Sequence, residues 1–155
     1  MSNRLNNITI LIVDDDPDDR LLAQEAFEET DMTQNLRFVA DGEELLEYLH
    51  NREVLPDGTS VAPLPSLILL DLNMPRRDGR EVLREIKNDP RLRYIPIIIL
   101  STSDTDADIW QSYQLGASSY ITKPTTFEGF INFIKNFRRY WMEVAILPTN
   151  PMEGG

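Results

Sequence analysis

Apolar residues in this chain come in short unbroken runs, set between stretches of amphipathic pattern. Ile8-Thr9-Ile10-Leu11-Ile12-Val13, Leu67-Ile68-Leu69-Leu70 and Ile95-Pro96-Ile97-Ile98-Ile99-Leu100 run continuously instead of alternating. Such runs predict strands buried on both faces, as in a parallel sheet. Leu36 to Val39 and Ser119-Tyr120-Ile121-Thr122 predict two more. Helical pattern fills the intervals. Asp16 is placed to cap a first helix with Pro17 at its first position. That helix runs to about Thr30, with Leu21, Leu22, Ala26 and Phe27 as its apolar side. Asp18 and Asp19 suit the positive end of its dipole. Asp41-Gly42 turns into a second helix carrying Leu45, Leu46, Tyr48 and Leu49. Gly79 leads into a third with Val82, Leu83 and Ile86, closed by Asn88-Asp89-Pro90. Asp104 is placed to cap a fourth reaching Leu115, and Gly116 ends it. A last helix is expected from about Thr126 to Glu143. Strands alternating with helices demand an α/β doubly wound parallel sheet, with right-handed crossovers and helices on both faces.

Residues 51–65 hold Pro56, Asp57-Gly58, Pro63 and Pro65, which read as a long surface loop. Beyond Pro148 the chain is Pro- and Gly-containing and expected to be loose. The expected organisation is one domain over residues 1–148 and a flexible tail over 149–155. The length of 155 residues is ample for a core, and 41% hydrophobic with 26% charged residues fits a globular domain. Without cysteine there is no disulfide, zinc-thiolate or thiol chemistry. No apolar run approaches membrane-spanning length and no signal pattern opens the chain, so a cytoplasmic location is expected. A formal charge of -11 argues against a nucleic-acid surface.

The candidate chemistry lies at the strand ends. The first strand delivers Asp14 and Asp15, the third Asp71, the fourth Ser101 and the fifth Lys123. In open α/β sheets ligands collect just outside the carboxyl ends of the strands. If these strands are neighbours, three carboxylates meet at one edge and repel strongly. A cation is then required, and hard oxygen ligands of this kind suit magnesium with phosphate oxygens. Phosphoryl transfer needs its equatorial oxygens stabilised, which magnesium, Ser101 and Lys123 would do, with Asp71 as nucleophile. Each residue alone has a plainer reading: a helix-capping loop for Asp14 and Asp15, a turn for Asp71, a solvated lysine for Lys123. Their joint occurrence overturns it.

At this point the sequence resembles the receiver domains of two-component response regulators. The motifs are Val13-Asp14-Asp15, Leu69-Leu70-Asp71-Leu72-Asn73-Met74-Pro75, Asp78-Gly79, Ser101, Gly116-Ala117, Tyr120 and Lys123-Pro124, in order and at family spacing. The resemblance implies a flavodoxin-like sheet of order 2-1-3-4-5 and a histidine kinase as phosphodonor. It implies Asp71 as phosphoacceptor, Asp15 as a direct magnesium ligand, Asp14 as its acidic partner and the Asn73 backbone carbonyl as a further ligand. Ser101 and Tyr120 become switch residues, Lys123 contacts the phosphoryl group, and the Lys123-Pro124 bond is expected to be cis. Ser101 stands where Thr is commoner, and Thr102 where a small residue is usual. The long loop before the third strand, the Asp78–Leu83 stretch and the ending Tyr140-Trp141 through Leu147-Pro148 resemble, more narrowly, stand-alone regulators paired with bacterial and cyanobacterial phytochromes.

The last helix is over-supplied with apolar residues. Phe127, Phe130, Ile131, Phe133, Ile134, Phe137, Tyr140, Trp141 and Val144 cover about half its circumference, where packing on a sheet needs a stripe of about 100°. The plain reading puts the surplus under the tail. The sharper one turns Phe133, Tyr140 and Val144 outward, with Ile146, Leu147 and Pro148, as a homodimer surface on the face of the fourth helix, fifth strand and fifth helix. His50 and the cluster Arg76, Arg77, Arg80 and Arg84 read as solvated. With about a dozen residues after the last helix, no DNA-binding output domain is expected, leaving output to protein contact, a phosphorelay or a phosphate sink. Two rivals fit less well. A magnesium-dependent aspartyl-phosphate phosphohydrolase would pair Asp14 with Asp16, but Pro17 and the lack of a cap insertion oppose it. A flavodoxin-like cofactor binder would need a Ser-, Thr- and Gly-containing loop where this chain is acidic.

Overall fold

A computed structural model describes residues 8–31, 36–50, 64–74 and 78–148. Most of the expected 51–65 loop, Pro75, Arg76, Arg77 and the 149–155 tail lie outside the described residues. The elements are β1 (Ile10–Val13), α1 (Pro17–Glu29), β2 (Leu36–Val39), α2 (Gly42–His50), β3 (Leu67–Leu70), α3 (Gly79–Lys87), β4 (Ile97–Ser101), α4 (Asp106–Gln114), β5 (Ser119–Thr122) and α5 (Phe127–Phe137). A π-helical segment, Arg138–Val144, continues α5. The sheet is parallel, of order β2-β1-β3-β4-β5.

The continuous apolar runs follow from having a core on each side. Leu11, Val13, Ile68, Leu70, Ile97 and Ile99 face one cluster, closed by Leu45, Leu46 and Leu49 of α2 and Val82, Leu83 and Ile86 of α3. Ile10, Ile12, Leu67, Leu69, Ile98 and Leu100 face the other, closed by Ala23, Ala26 and Phe27 of α1 and Phe130, Ile134 and Phe137 of α5. A parallel strand in this position has no wet face, so alternation disappears. No helix among the described residues is long and apolar enough to cross a membrane.

Helix ends agree with local chemistry, with two differences. Asp16 caps α1 by accepting from the Asp18 amide, and Asp78 caps α3 by accepting from the Arg80 amide. The cap of α4 is Thr105, whose side chain accepts from the Asp108 amide, and not the expected Asp104. Both residue types cap well, and the extended backbone of Thr105 decides between them. The last helix widens after Phe137, where the Ala145 amide bonds the Tyr140 carbonyl. The 100° wheel therefore does not apply to its end. Phe133 is half-buried, its ring 6.5 Å from Phe130 and 5.7 Å from Phe137, and Leu147 packs against the same cluster. These two are held within the fold, while Tyr140, Val144 and Ile146 are exposed.

Gly79 fixes where α3 meets the sheet. A Cβ there would stand 2.6 Å from the Asp71 carbonyl oxygen and 2.7 Å from the Leu72 Cα. The Gly79 amide bonds the Leu72 carbonyl at 2.9 Å. Only a residue with no side chain lets the helix start this close to the strand end.

Candidate functional site

The parallel ladder runs one residue past β1, β3 and β5, and that extra residue is charged; Ser101 is the last residue of β4. The Asp14 amide bonds the Val39 carbonyl, the Asp71 amide the Val13 carbonyl, and the Lys123 amide the Ser101 carbonyl. Asp14, Asp71, Ser101 and Lys123 are thus carried by backbone pairing to one edge of the sheet, all buried. Asp15 is exposed beside them.

Carboxylate oxygens of Asp14, Asp15 and Asp71 lie within 4.8 Å of one another. The Lys123 ammonium sits against them, 2.6 Å from Asp14 Oδ2, 2.8 Å from Asp19 Oδ2 and 3.5 Å from Asp71 Oδ2. Backbone groups fix the carboxylates. Asp14 Oδ1 accepts from the Asp16 amide at 3.0 Å, and Asp71 Oδ1 accepts from the Asn73 amide at 3.2 Å. Arg20 donates to the Asp14 carbonyl at 2.6 Å, tying α1 to the strand end. Asn73 itself is exposed.

One cation among these carboxylates does not neutralise them. Burial raises the Asp14 carboxyl above its ordinary 3.8, and the Lys123 hydrogen bond only partly offsets this. Burial raises Asp71 likewise, against the opposing charge of Lys123. Burial alone would lower Lys123, but hydrogen bonds to Asp14 and Asp19 and the charge of Asp71 outweigh it and raise the ammonium well above 10.5. The lysine stays charged and the acids stay under-compensated. That donor set fits a hard dication: oxygen ligands only, excess negative charge, and backbone-fixed carboxylates.

Beyond β4, the Ser101 hydroxyl accepts from the Ser103 amide at 3.1 Å. The Ser103 carbonyl accepts from the Tyr120 hydroxyl at 2.8 Å, and its own hydroxyl donates to Asp108 at 2.5 Å. Asp108 in turn takes Arg80 at 2.7 Å, and Arg80 also pairs with Asp78 at 3.1 Å. Arg80 is therefore not part of a solvated face but a bridge between α3 and α4. Tyr120 is half-buried against the core, as its sequence context suggested. His50 is exposed and stands 3.4 Å from Asp89. The Lys123-Pro124 bond is trans, contrary to the family expectation, no cis peptide occurring among the described residues. The trans form of an X-Pro bond is the intrinsically favoured one by ~0.5–1 kcal/mol.

Sequence reasoning missed Asp19, which it assigned to the helix dipole alone. The signal was an acidic run of five aspartates around Pro17, more than one cap and one metal need. It also missed the Arg80–Asp108 bridge, which no local pattern announces.

Residues 10–135 match the family model described as the response regulator receiver domain. The chain belongs to that family. Response regulator Rcp1 of Synechocystis sp. is 35% identical over 140 residues, which cover 90% of this chain and 92% of that protein. The crystal structure of the Mn(2+)-bound form of Rcp1 superimposes with a TM-score of 0.78 at 34% identity, covering 92% of this chain and 99% of that one. The phosphorylated cyanobacterial phytochrome response regulator RcpA gives a TM-score of 0.81 at 39% identity, with coverage of 92% and 99%. RPA3017, a response regulator in red light signaling of R. palustris, gives 0.82 at 38%, again covering 92% and 99%. This receiver is thus similar, over nearly the full length of each chain, to response regulators that include a phytochrome response regulator.

Proposed function

We propose that this receiver is a phosphorylation switch in which Asp71 accepts a phosphoryl group from a histidine kinase, with a phytochrome as the sensor. The observation that carries the reading is the Lys123 ammonium 3.5 Å from Asp71 Oδ2, inside a nest of carboxylates built on separate strands. In the transfer, an Asp71 carboxylate oxygen forms a bond to phosphorus as the bond from phosphorus to the kinase imidazole nitrogen breaks. The imidazole keeps that electron pair. Asp14, Asp15, Asp71 and the Asn73 carbonyl would hold Mg2+, which supplies charge neutralisation at the phosphoryl oxygens when bound. Lys123 pairs with one phosphoryl oxygen, and the Ser101 hydroxyl bonds another. As Ser101 moves, the Ser103 amide and the Tyr120 hydroxyl on the Ser103 carbonyl are drawn with it. Hydrolysis of the acyl phosphate by water returns Asp71 to its carboxylate, so the chain catalyses nothing beyond its own modification.

The working unit is one receiver domain over residues 1–148, acting in the cytoplasm through protein contact. Support for phytochrome pairing comes from the likeness to RcpA, a phytochrome response regulator, and to RPA3017, which acts in red light signaling. Tyr140, Val144 and Ile146, exposed at the end of the last helix, are the contact residues of a homodimer, flanked by Phe133 and Leu147. The test of the chemistry is incubation with a small phosphodonor and Mg2+, followed by mass measurement. Wild type gains one phosphoryl mass and Asp71→Asn gains none. A wild type without mass gain, under conditions that label other receivers, removes the proposal.

A further inference from the structure

Lys123 has three carboxylate partners, and they are not equivalent. Asp14 Oδ2 at 2.6 Å and Asp71 Oδ2 at 3.5 Å belong to the group whose oxygens converge within 4.8 Å. Asp19 Oδ2, at 2.8 Å, does not belong to it. A dication entering the nest must draw on the same two carboxylates that hold the ammonium. Asp19 is the one of the three that can keep its lysine contact without giving up an oxygen of the convergent group.

We propose that Asp19 is a positioning residue that shares the Lys123 ammonium with the nest, so that Asp14 and Asp71 can take a cation while the lysine keeps a carboxylate partner. The proposal rests on the magnesium-dependent reading given above. Three features fit Asp19 to the task. It sits in the first turn of α1, whose start is fixed by the Asp16 cap and by Pro17. The N-terminal end of a helix dipole favours a negative side chain at that position. The Arg20 guanidinium, on the next residue, donates to the Asp14 carbonyl, so a side-chain hydrogen bond ties the turn that carries Asp19 to the end of the strand that carries Asp14. Without Asp19, the ammonium leans wholly on Asp14 and Asp71 and competes with the metal for both.

The plainer alternative is that Asp19 only adds negative potential, which would also favour a cation. A double-mutant cycle separates the two. Mg2+ binding is measured by calorimetry on the full chain for wild type, Asp19→Asn, Lys123→Met and the double variant, with Asp18→Asn as a same-charge neighbour. The expected result is a loss of affinity on Asp19→Asn at least about threefold larger when Lys123 is present than in the Lys123→Met background. Asp19→Glu restores affinity, and Asp18→Asn shows only the small loss due to charge. If Lys123→Met does not fold, Lys123→Gln completes the cycle. Equal losses in the two lysine backgrounds, or no loss in either, overturn the proposal and leave the phosphoacceptor reading standing. A wild type that binds no Mg2+ overturns both.

Discussion

Replacing Asp71 by Asn should make the metal-free protein more stable. The Asp71 side chain is 11% exposed, so its charge is largely out of water. At an effective dielectric of ~20, the Lys123 ammonium 3.5 Å away attracts it by about 4.7 kcal/mol. Asp14, within 4.8 Å, repels it by at least about 3.5 kcal/mol at the same dielectric. Asp15 is exposed, and a dielectric near ~80 adds about 0.9 kcal/mol more repulsion. Attraction and repulsion nearly cancel, so the desolvation of the carboxylate is left uncompensated. Asn keeps the shape and the acceptor for the Asn73 amide. A gain of ~1–2 kcal/mol follows, or about 2–8 °C in Tm for a domain of this size. The assay is calorimetric unfolding in a chelator at neutral pH. The gap should also depend on pH. Because the folded-state pKa of Asp71 lies above 3.8, the folded form binds the proton more readily than the unfolded one. The stability this gives wild type is fully present below 3.8 and is lost as pH rises through the raised value. The advantage of Asp71→Asn is therefore small in acid and full at neutral pH. Adding Mg2+ raises wild type more than the variant, since binding to the native state stabilises by mass action. An Asp71→Asn protein that melts below wild type in chelator at neutral pH refutes this electrostatic account.

Gly79→Ala places a Cβ against the Asp71 carbonyl and the Leu72 Cα, neither of which can yield as a flexible side chain would. The expected cost is ~1–3 kcal/mol in denaturant unfolding, with slower phosphoryl uptake because the Asp71 backbone must shift. Unchanged stability would mean that α3 does not need this close approach. The homodimer is checked by sedimentation: wild type should associate, and Tyr140→Asp with Val144→Asp should be monomeric. A wild-type monomer at micromolar concentration, phosphorylated or not, rules the interface out.

Much of this architecture was legible in the sequence because its causes are local. β2 and β5 begin and end where the apolar pattern does. Strands with a core on each face show as unbroken runs, and Asp16-Pro17 and Asp78-Gly79 mark helix starts through their own side chains. The edge where the acids meet followed from strand order, which alternation of elements constrains. What stayed hidden depends on distant partners. Asp19 reads as a dipole residue until β5 brings Lys123 beside it. Arg80 reads as solvated until α4 brings Asp108. Asp104 and Thr105 are both capping residue types, and the extended backbone at Thr105 makes the second the cap. The π-helical end of the last helix carries no composition that sets it apart from an α-helix.

Ser103 gives the loop after β4 an unusual economy of attachment. Its amide is bonded to Ser101, its carbonyl to Tyr120 and its hydroxyl to Asp108, which grips Arg80. Loosening one tether slackens the others, because all three converge on a single residue. Such a knot relaxes as a unit and not by degrees. Probes on Tyr120, on the start of α4 and on α3 would then trace a single transition with a common midpoint, so that a partial stimulus alters how many molecules have switched, not how far each one has moved.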